Sequence, residues 1–271
     1  MVLISVITVN RNNAAGLEKT IKSVTSQSFP DFEFLVVDGD SDDASKEIIK
    51  KNENKISYWV SEPDSGIYQA MNKGVDAATG KFLLFLNSGD TLVDGQILSQ
   101  IAKSLDDTDI LSGDMITCDL NGNKKTELSP DVPNAKHFMV STLWHPTTFI
   151  QRKLFLQLGN YNESLKIVSD YDFFMRALIQ HQFTYKHIKL PVTIFELDGT
   201  SNDPRKFHLM LEERRQVQKA IFTASQLDET EAIEIQVLGR KSNVFQYVPN
   251  SKLLENWYDR FYYYWYRRKK T

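Results

Sequence analysis

Two consecutive segments constrain this chain more than any other: Ser61-Glu62-Pro63-Asp64-Ser65-Gly66-Ile67-Tyr68-Gln69-Ala70-Met71-Asn72-Lys73-Gly74, and then Thr79-Gly80-Lys81-Phe82-Leu83-Leu84-Phe85-Leu86-Asn87-Ser88-Gly89-Asp90. A polar turn opens a helical pattern that closes at a glycine. An apolar run follows and stops abruptly at Asn87-Ser88-Gly89-Asp90. A strand that delivers a carboxylate from its C-terminal end is how an open α/β sheet presents a site, because ligands bind in the crevice outside the carboxyl ends of the strands.

The flanking segments repeat this alternation. Leu3 to Val9 is β-branched and reads as a buried parallel strand. Ala14 to Ser26 places Leu17, Ile21 and Val24 on one helical face. Phe34 to Val37 is a second strand, and Asp42 or Asp43 is positioned to cap the helix carrying Ile48 and Ile49. Ile56 to Val60 is a third strand, Ser65 to Val75 a helix, and Phe82 to Leu86 a fourth strand. Strands alternating with helices predict a mostly parallel sheet covered on both faces. Beyond Asp90 the pattern loosens. Ile97, Ile101 and Leu105 suggest a helix, Ile110 to Asp114 a strand, and Asn121-Gly122-Asn123 a hairpin turn. Leu143 to Ile150 reads as a polar loop entering a strand. Asp170 to Gln180 reads as a helix, Phe183 to Phe195 as two strands broken at Pro191, and Pro204 to Thr223 as a long amphipathic helix.

Composition narrows the possibilities. The net charge of -3 over 271 residues argues against nucleic acid as a partner. A single cysteine, Cys118, excludes an intramolecular disulfide and any cysteine metal pattern, and fits a reducing cytosol. The apolar N-terminus has no basic leader or small-residue cleavage site and reads as a strand. No apolar run approaches the ~18 residues of a spanning helix.

Carboxylates recur at the strand ends: Asp38, Asp40, Asp64, Asp90 and Asp114. Aspartate is common in loops because it makes turns and caps, which accounts for Asp31, Asp42, Asp43 or Asp94. It accounts less well for an acid at each of several successive strand ends. Carboxylates placed there suit Mg²⁺ or Mn²⁺, which take oxygen ligands from one or two acids plus substrate phosphates.

With these residues in view, the chain resembles the family 2 glycosyltransferases of the GT-A fold, in the form found in bacterial polysaccharide, O-antigen and capsule biosynthesis. The resemblance runs from about Val2 to Phe195. It is carried by Ser5-Val6-Ile7-Thr8-Val9 with Asn12, Val36-Val37-Asp38-Gly39-Asp40-Ser41, Ala70-Met71-Asn72-Lys73-Gly74, Leu86-Asn87-Ser88-Gly89-Asp90, and Ser169-Asp170-Tyr171-Asp172 with Arg176. It implies a GT-A catalytic domain over 1–200, with a Rossmann-like nucleotide-sugar half (1–90) and an acceptor half (91–200), and a helical extension over 201–271.

The resemblance also implies roles. Thr8, Val9, Asn10 and Arg11 would line the nucleotide base, with the Arg11 guanidinium stacking where many members place an aromatic ring. Asp38 would accept a hydrogen bond from uracil. Asp64 and Lys73 would lie near the base or diphosphate. Met71 falls where many members carry a phosphate-contacting arginine. Asn87 and Ser88 would contact ribose or sugar. Asp90 would bind the metal, Mn²⁺ or Mg²⁺, within a motif whose other acids are replaced by Asn87 and Gly89. Asp170 would be the catalytic base, with Ser169 replacing the family's preceding acid; Asp172 is its nearest rival, and is read as pointing away or holding Arg176. His145, in Trp144-His145-Pro146-Thr147-Thr148, would contact acceptor or phosphate. His137, His181, His187 and His208 read as structural or surface residues.

The activity so implied is inverting transfer from a UDP-sugar to a hydroxyl of a glycan acceptor, carried on a polyprenyl diphosphate. The implied setting is the cytoplasm, with contact at the inner face of the membrane. The aromatic and basic tail from Trp257 to Lys270 suits lipid headgroups, or alternatively packs on the domain or on a second subunit as a homodimer. A different class of reading is a catalytically weak sugar-nucleotide-binding partner subunit, which Asn87, Gly89 and Ser169 keep open. A dehydrogenase is poorly supported, because Asn10-Arg11-Asn12-Asn13-Ala14-Ala15-Gly16 is no G-x-G-x-x-G.

Overall fold

The computed structural model describes residues 2–119, 122–196 and 206–230. The Trp257–Lys270 tail and the first residue of the Asn121-Gly122-Asn123 turn lie outside the described residues, as does the start of the helix expected from Pro204.

The first half is a series of strand–helix units: β1 (Ile4–Asn10), α1 (Ala14–Thr25), β2 (Phe32–Asp38), α2 (Ser45–Lys51), β3 (Tyr58–Ser61), α3 (Ile67–Ala77) and β4 (Phe82–Phe85). Four parallel neighbours result, in the order β3-β2-β1-β4. Strand order reverses at β1, so the crevice between the ends of β1 and β4 is the topological switch point where a ligand is expected to bind. Asn10 and the Asn87–Asp90 turn flank it.

The second half supplies β5 (Thr91–Leu92), α4 (Ile97–Ala102), β6 (Ile110–Cys118), β7 (Lys124–Glu127), α5 (Ala135–Val140), β8 (Thr148–Gln151), α6 (Arg152–Leu158), α7 (Ser169–Met175, continued by a π turn at Arg176–Gln180), β9 (Tyr185–Glu196) and α8 (Phe207–Ile221). The sheet continues from β4 through β8, β6 and β9 to β5, with β7 beside the outer half of β6. Pairing is mixed here: β8 is antiparallel to β4 and β6, while β6 and β9 run parallel.

Two expectations need correction. Residues 183–195 do not form two strands broken at Pro191; β9 is one strand of 12 residues. Pro191 sits opposite Asp114, where the register with β6 shifts. A bulge tolerates a residue without an N–H. Neither Asp42 nor Asp43 is the cap of α2; that position is Ala44, with no side-chain cap. Asp43 instead accepts from Ser45 N–H at 3.0 Å and from Ala14 N–H at 2.8 Å, tying the starts of α2 and α1 together. The short elements β5, α5 and α6 were not expected from the sequence.

Alternation along β1 divides the core. Ile4 and Val6 face α1, α2 and α4; Ile7 and Val9 face α3 and α5 to α8. The described part of the C-terminal extension belongs to the second layer, since Val217 and Phe222 are buried in the same cluster as Phe138 and Tyr171. Helix α3 lies close on β1: a Cβ added at Gly74 would come within 2.4 Å of Ile7 Cγ2, a stiff buried methyl. Glycine to alanine inside a helix ordinarily stabilises by about 1 kcal/mol. Gly74→Ala is expected instead to destabilise by about 1–3 kcal/mol through overpacking, measured by urea unfolding. A gain in stability would show that α3 is not so closely seated.

Candidate active site

The loops after β1 and β2 are laced together by short polar side chains. Asn12 N–H donates to Ser41 Oγ at 2.8 Å, and Asp42 N–H donates to Asn12 Oδ1 at 3.0 Å. Asp38 is the hub. It is fully buried and accepts from Asn10 Nδ2 (2.8 Å), Ser41 Oγ (2.6 Å), Ser41 N–H (2.9 Å) and Ser61 Oγ (2.7 Å). Burial alone would raise its pKa, but the hydrogen bonds from Ser41, Ser61 and Asn10 outweigh burial and hold it below the usual carboxylate range. Four donors fill the lone pairs of a carboxylate, so a base N–H reaches Asp38 only by displacing one of them.

The neighbouring residues expected to meet a nucleotide are differently engaged. Thr8 is buried, its hydroxyl donating to Leu86 O at 2.7 Å, and Val9 is buried in the core. Asn10 Oδ1 is buried without a donor among the described residues. Arg11 is exposed at the crevice edge. Asp64 is brought beside it because Gly39 has no side chain: a Cβ there would lie 2.3 Å from Asp64 Oδ2 and 3.4 Å from Arg11 Cδ. Lys73 is turned to Glu62 (2.8 Å) and to Pro63 O (3.0 Å), so it braces the turn carrying Asp64.

On the other wall, Thr20 and Asn13 of the first loop and helix shape the turn after β4. Thr20 Oγ1 donates to Asp90 O at 2.7 Å and accepts from Gly89 N–H at 3.0 Å, while Asn13 Nδ2 donates to Ser88 O at 3.0 Å. Neither residue was singled out in the sequence. Their signal there is only a polar residue on an otherwise apolar helix start. The Asp90 side chain is buried and meets no donor among the described residues. Burial pushes its pKa up to about 7, with the His145 ring pulling the other way and Glu196 adding to the rise.

His145 joins the two halves. Its Nδ1 lies 3.3 Å from Asp170 Oδ2 and its Nε2 lies 3.1 Å from Asn87 Nδ2. An ionised carboxylate can only accept, so Nδ1 carries the proton and Nε2 accepts from the amide. Asn87 Oδ1 is then left buried and without a donor among the described residues. Asp170, in the first turn of α7, accepts at Oδ1 from Tyr171 N–H (2.9 Å) and from the Tyr68 hydroxyl (3.0 Å). Its Oδ2, with the histidine as its one partner among the described residues, keeps a lone pair for another donor. Burial, and then the charge of Asp170, raise the Tyr68 phenol well above its ordinary value, so it stays protonated as a donor. Asp172 is engaged elsewhere, accepting from Arg176 Nε at 2.9 Å. Among the remaining histidines, His187 is buried between Asp114 and Asp131, at 2.8 Å from each.

This open sheet, with carboxylates gathered at the switch point, is the GT-A fold. The solved structure of S. aureus TarS 1-349 in complex with UDP-GlcNAc matches with a TM-score of 0.65, at 20% identity, over 88% of this chain and 72% of that one. The mannosyltransferase PcManGT from Pyrobaculum calidifontis, in complex with GDP-Man and Mn²⁺, matches with a TM-score of 0.61, at 14% identity, over 97% of this chain and 82% of that one. In sequence, a PGL/p-HBAD biosynthesis glycosyltransferase of Mycobacterium bovis is 30% identical over 207 residues, 74% of this chain and 79% of the relative. An uncharacterized glycosyltransferase of Mycobacterium tuberculosis is 31% identical over 186 residues, 65% of this chain and 69% of the relative. Residues 5–173 match the sequence model of glycosyl transferase family 2. The chain belongs to that family and is a glycosyltransferase.

The raised pKa of Asp90 carries a stability consequence. Its folded value of about 7 exceeds the model-compound value of 3.8. The native state therefore holds a proton that the unfolded chain has lost between those limits. Asp90 thus costs nothing below the lower value, and its cost grows as pH rises and is complete above about 7, at up to about 4 kcal/mol. In EDTA, Asp90→Asn is expected to raise the unfolding free energy at pH 8 by about 1–4 kcal/mol, with the gain shrinking toward pH 5. A variant less stable than wild type at pH 8 would contradict this.

Proposed function

We propose that this glycosyltransferase is inverting and transfers a sugar from a UDP-sugar to a hydroxyl of a glycan acceptor, with Mn²⁺ or Mg²⁺ at Asp90. The observation that supports it most is the chain Asn87–His145–Asp170. It sets a carboxylate with an open lone pair at a fixed distance from the turn that would hold the donor.

Asp90 suits a divalent cation. It is a buried carboxylate with no donor among the described residues, and its charge is disfavoured until a cation lies beside it. Among the described residues no group of three or more His, Cys, Asp or Glu side chains gathers around a metal position, so diphosphate oxygens and water would complete the shell. When bound, the ion would stabilise the charge on the departing diphosphate.

The rest is the work of the chain's own residues. Arg11 would cover the base, and Asp38 would face the uracil N–H by releasing the part-buried Ser61 hydroxyl. Asn87 Oδ1, buried and unpartnered, would accept from a ribose or sugar hydroxyl. Asp170 Oδ2 would take the proton of the acceptor hydroxyl as its oxygen attacks the anomeric carbon. The bond from that carbon to the diphosphate oxygen breaks with its electron pair leaving on UDP. One displacement, without a covalent sugar intermediate, inverts the anomeric centre. His145 keeps Asp170 aimed by donating to the same oxygen.

An acceptor on polyprenyl diphosphate rests on the resemblance, and contact with the inner face of the membrane on the Trp257–Lys270 sequence, which lies outside the described residues. No helix among the described residues is long and apolar enough to cross a membrane.

The test is UDP release by purified protein over a panel of UDP-sugars, with Mn²⁺ or Mg²⁺ against EDTA. Turnover with one donor is expected, lost in EDTA and in Asp90→Ala. Asp170→Asn should lower it by about 100-fold or more while leaving UDP affinity within about 2-fold. If Asp170→Asn turned over like wild type, the assignment of the base would fail. UDP binding with no turnover by any donor and acceptor would favour the partner-subunit reading.

A further inference from the structure

Glu213 is a buried carboxylate that the chemistry above does not use. It projects from α8 onto the backbone just ahead of α7. Its Oε1 accepts from Lys166 N–H at 2.7 Å, and its Oε2 accepts from Ile167 N–H at 2.9 Å and Val168 N–H at 3.3 Å. The peptide so held has its carbonyl on the other side: Ile167 O lies 2.6 Å from the Tyr68 hydroxyl, which is the hydroxyl 3.0 Å from Asp170 Oδ1. A phenol has one proton for these two acceptors, so the position of the Ile167 carbonyl governs how Tyr68 meets Asp170. The next residue of α8 holds the residue after Asp170 and the segment that precedes His145 in the chain. Arg214 lies 4.2 Å over the Tyr171 ring and donates at 3.1 Å to both Phe138 O and Ser141 O, at the end of α5 that leads to His145. Gln218, one turn on, donates to the Tyr171 hydroxyl at 3.1 Å.

We propose that Glu213 is a positioning residue for the catalytic base. Through the 166–168 backbone and Tyr68 it sets the orientation of Asp170, and with Arg214 it makes the docking of α8 a condition for an assembled His145–Asp170 pair. The inference rests on the reading of Asp170 as the base. A carboxylate is suited to the task because its two oxygens only accept, and three N–H groups converge on them. An amide would turn one N–H toward another and leave a buried donor unpaired. A brace that served folding alone would make the same contacts, but its loss would not act selectively on turnover through Tyr68.

The experiment uses the full chain with the UDP-sugar that gives the fastest UDP release. Glu213→Gln, Tyr68→Phe and their double variant are compared with wild type, and UDP affinity is measured by calorimetry. Glu213→Gln is expected to lower kcat about 10- to 100-fold with KM for the donor and UDP affinity within about 2-fold. The double variant should be no slower than the slower single variant, because both changes act on one path. Glu212→Gln, on the exposed face of α8, should match wild type. If Glu213→Gln fails to fold, Glu213→Asp, which keeps the charge on a shorter arm, should fold and show a smaller kcat loss with the same unchanged KM. Wild-type kcat in a folded Glu213 variant, or fully multiplicative losses in the double variant, would overturn the proposal. Asp170→Asn is run beside them. If it retains turnover, the base assignment has failed. If it is inactive while Glu213→Gln is not impaired, only the positioning role has failed.

Discussion

The hydrogen-bonded bridge of His145 between Asn87 and Asp170 is the contact on which the site depends. Asn87 belongs to the turn after β4, in the parallel half of the sheet, and Asp170 to the start of α7, packed on the opposite layer. On the proposed reading, a sugar would be held between a leaving diphosphate at the first half and an attacking hydroxyl at the second. A single imidazole, with its proton on Nδ1, sets the separation of the two. The ring is itself carried on the turn at His145–Thr147, whose following strand, β8, pairs with β4. The sheet that generates the switch-point crevice therefore also delivers the residue that spans it.

The two carboxylates nearest the bridge are in opposite electrostatic states. Asp38 is buried but saturated with donors, so its charge is stabilised and it acts as the post around which the β1 and β2 loops are tied. Asp90 is also buried and meets no donor among the described residues, so its charge is costly. Burial is common to both, and the number of hydrogen bonds separates them. A carboxylate of the first kind contributes to architecture. One of the second kind is a standing cost unless a ligand offsets it, which is the pattern expected of a functional group.

Much of this was legible in the sequence, and the physical reasons are particular. β1, β2 and β4 are buried on both faces, so their residues form continuous apolar runs, and their ends were placed within a residue or two. The acids Asp38 and Asp90 at the ends of β2 and β4 followed from the same reading, and Asp170 and His145 were named from the motifs around them. Elements set by partners were not legible. β5 is two residues long and exists because β9 runs beside it. Pro191 read as a break because a proline has no N–H, yet the bulge opposite Asp114 lets β9 continue. Within the site, Tyr68, Thr20 and Glu213 escaped notice because their roles are contacts with distant parts of the chain. Asp38 was expected to await a ligand, but Asn10, Ser41 and Ser61 already surround it, which no periodicity reveals.

The proposed chemistry is one displacement driven by one base, and the stereochemistry of the product tests that most directly. With a donor whose sugar is α-linked to UDP, the anomeric coupling constant of the first-formed product, read by proton NMR before mutarotation or further reaction, should report the β-configuration. An α-linked product would show that the transfer retains the anomeric configuration, and Asp170 could not then be acting as described.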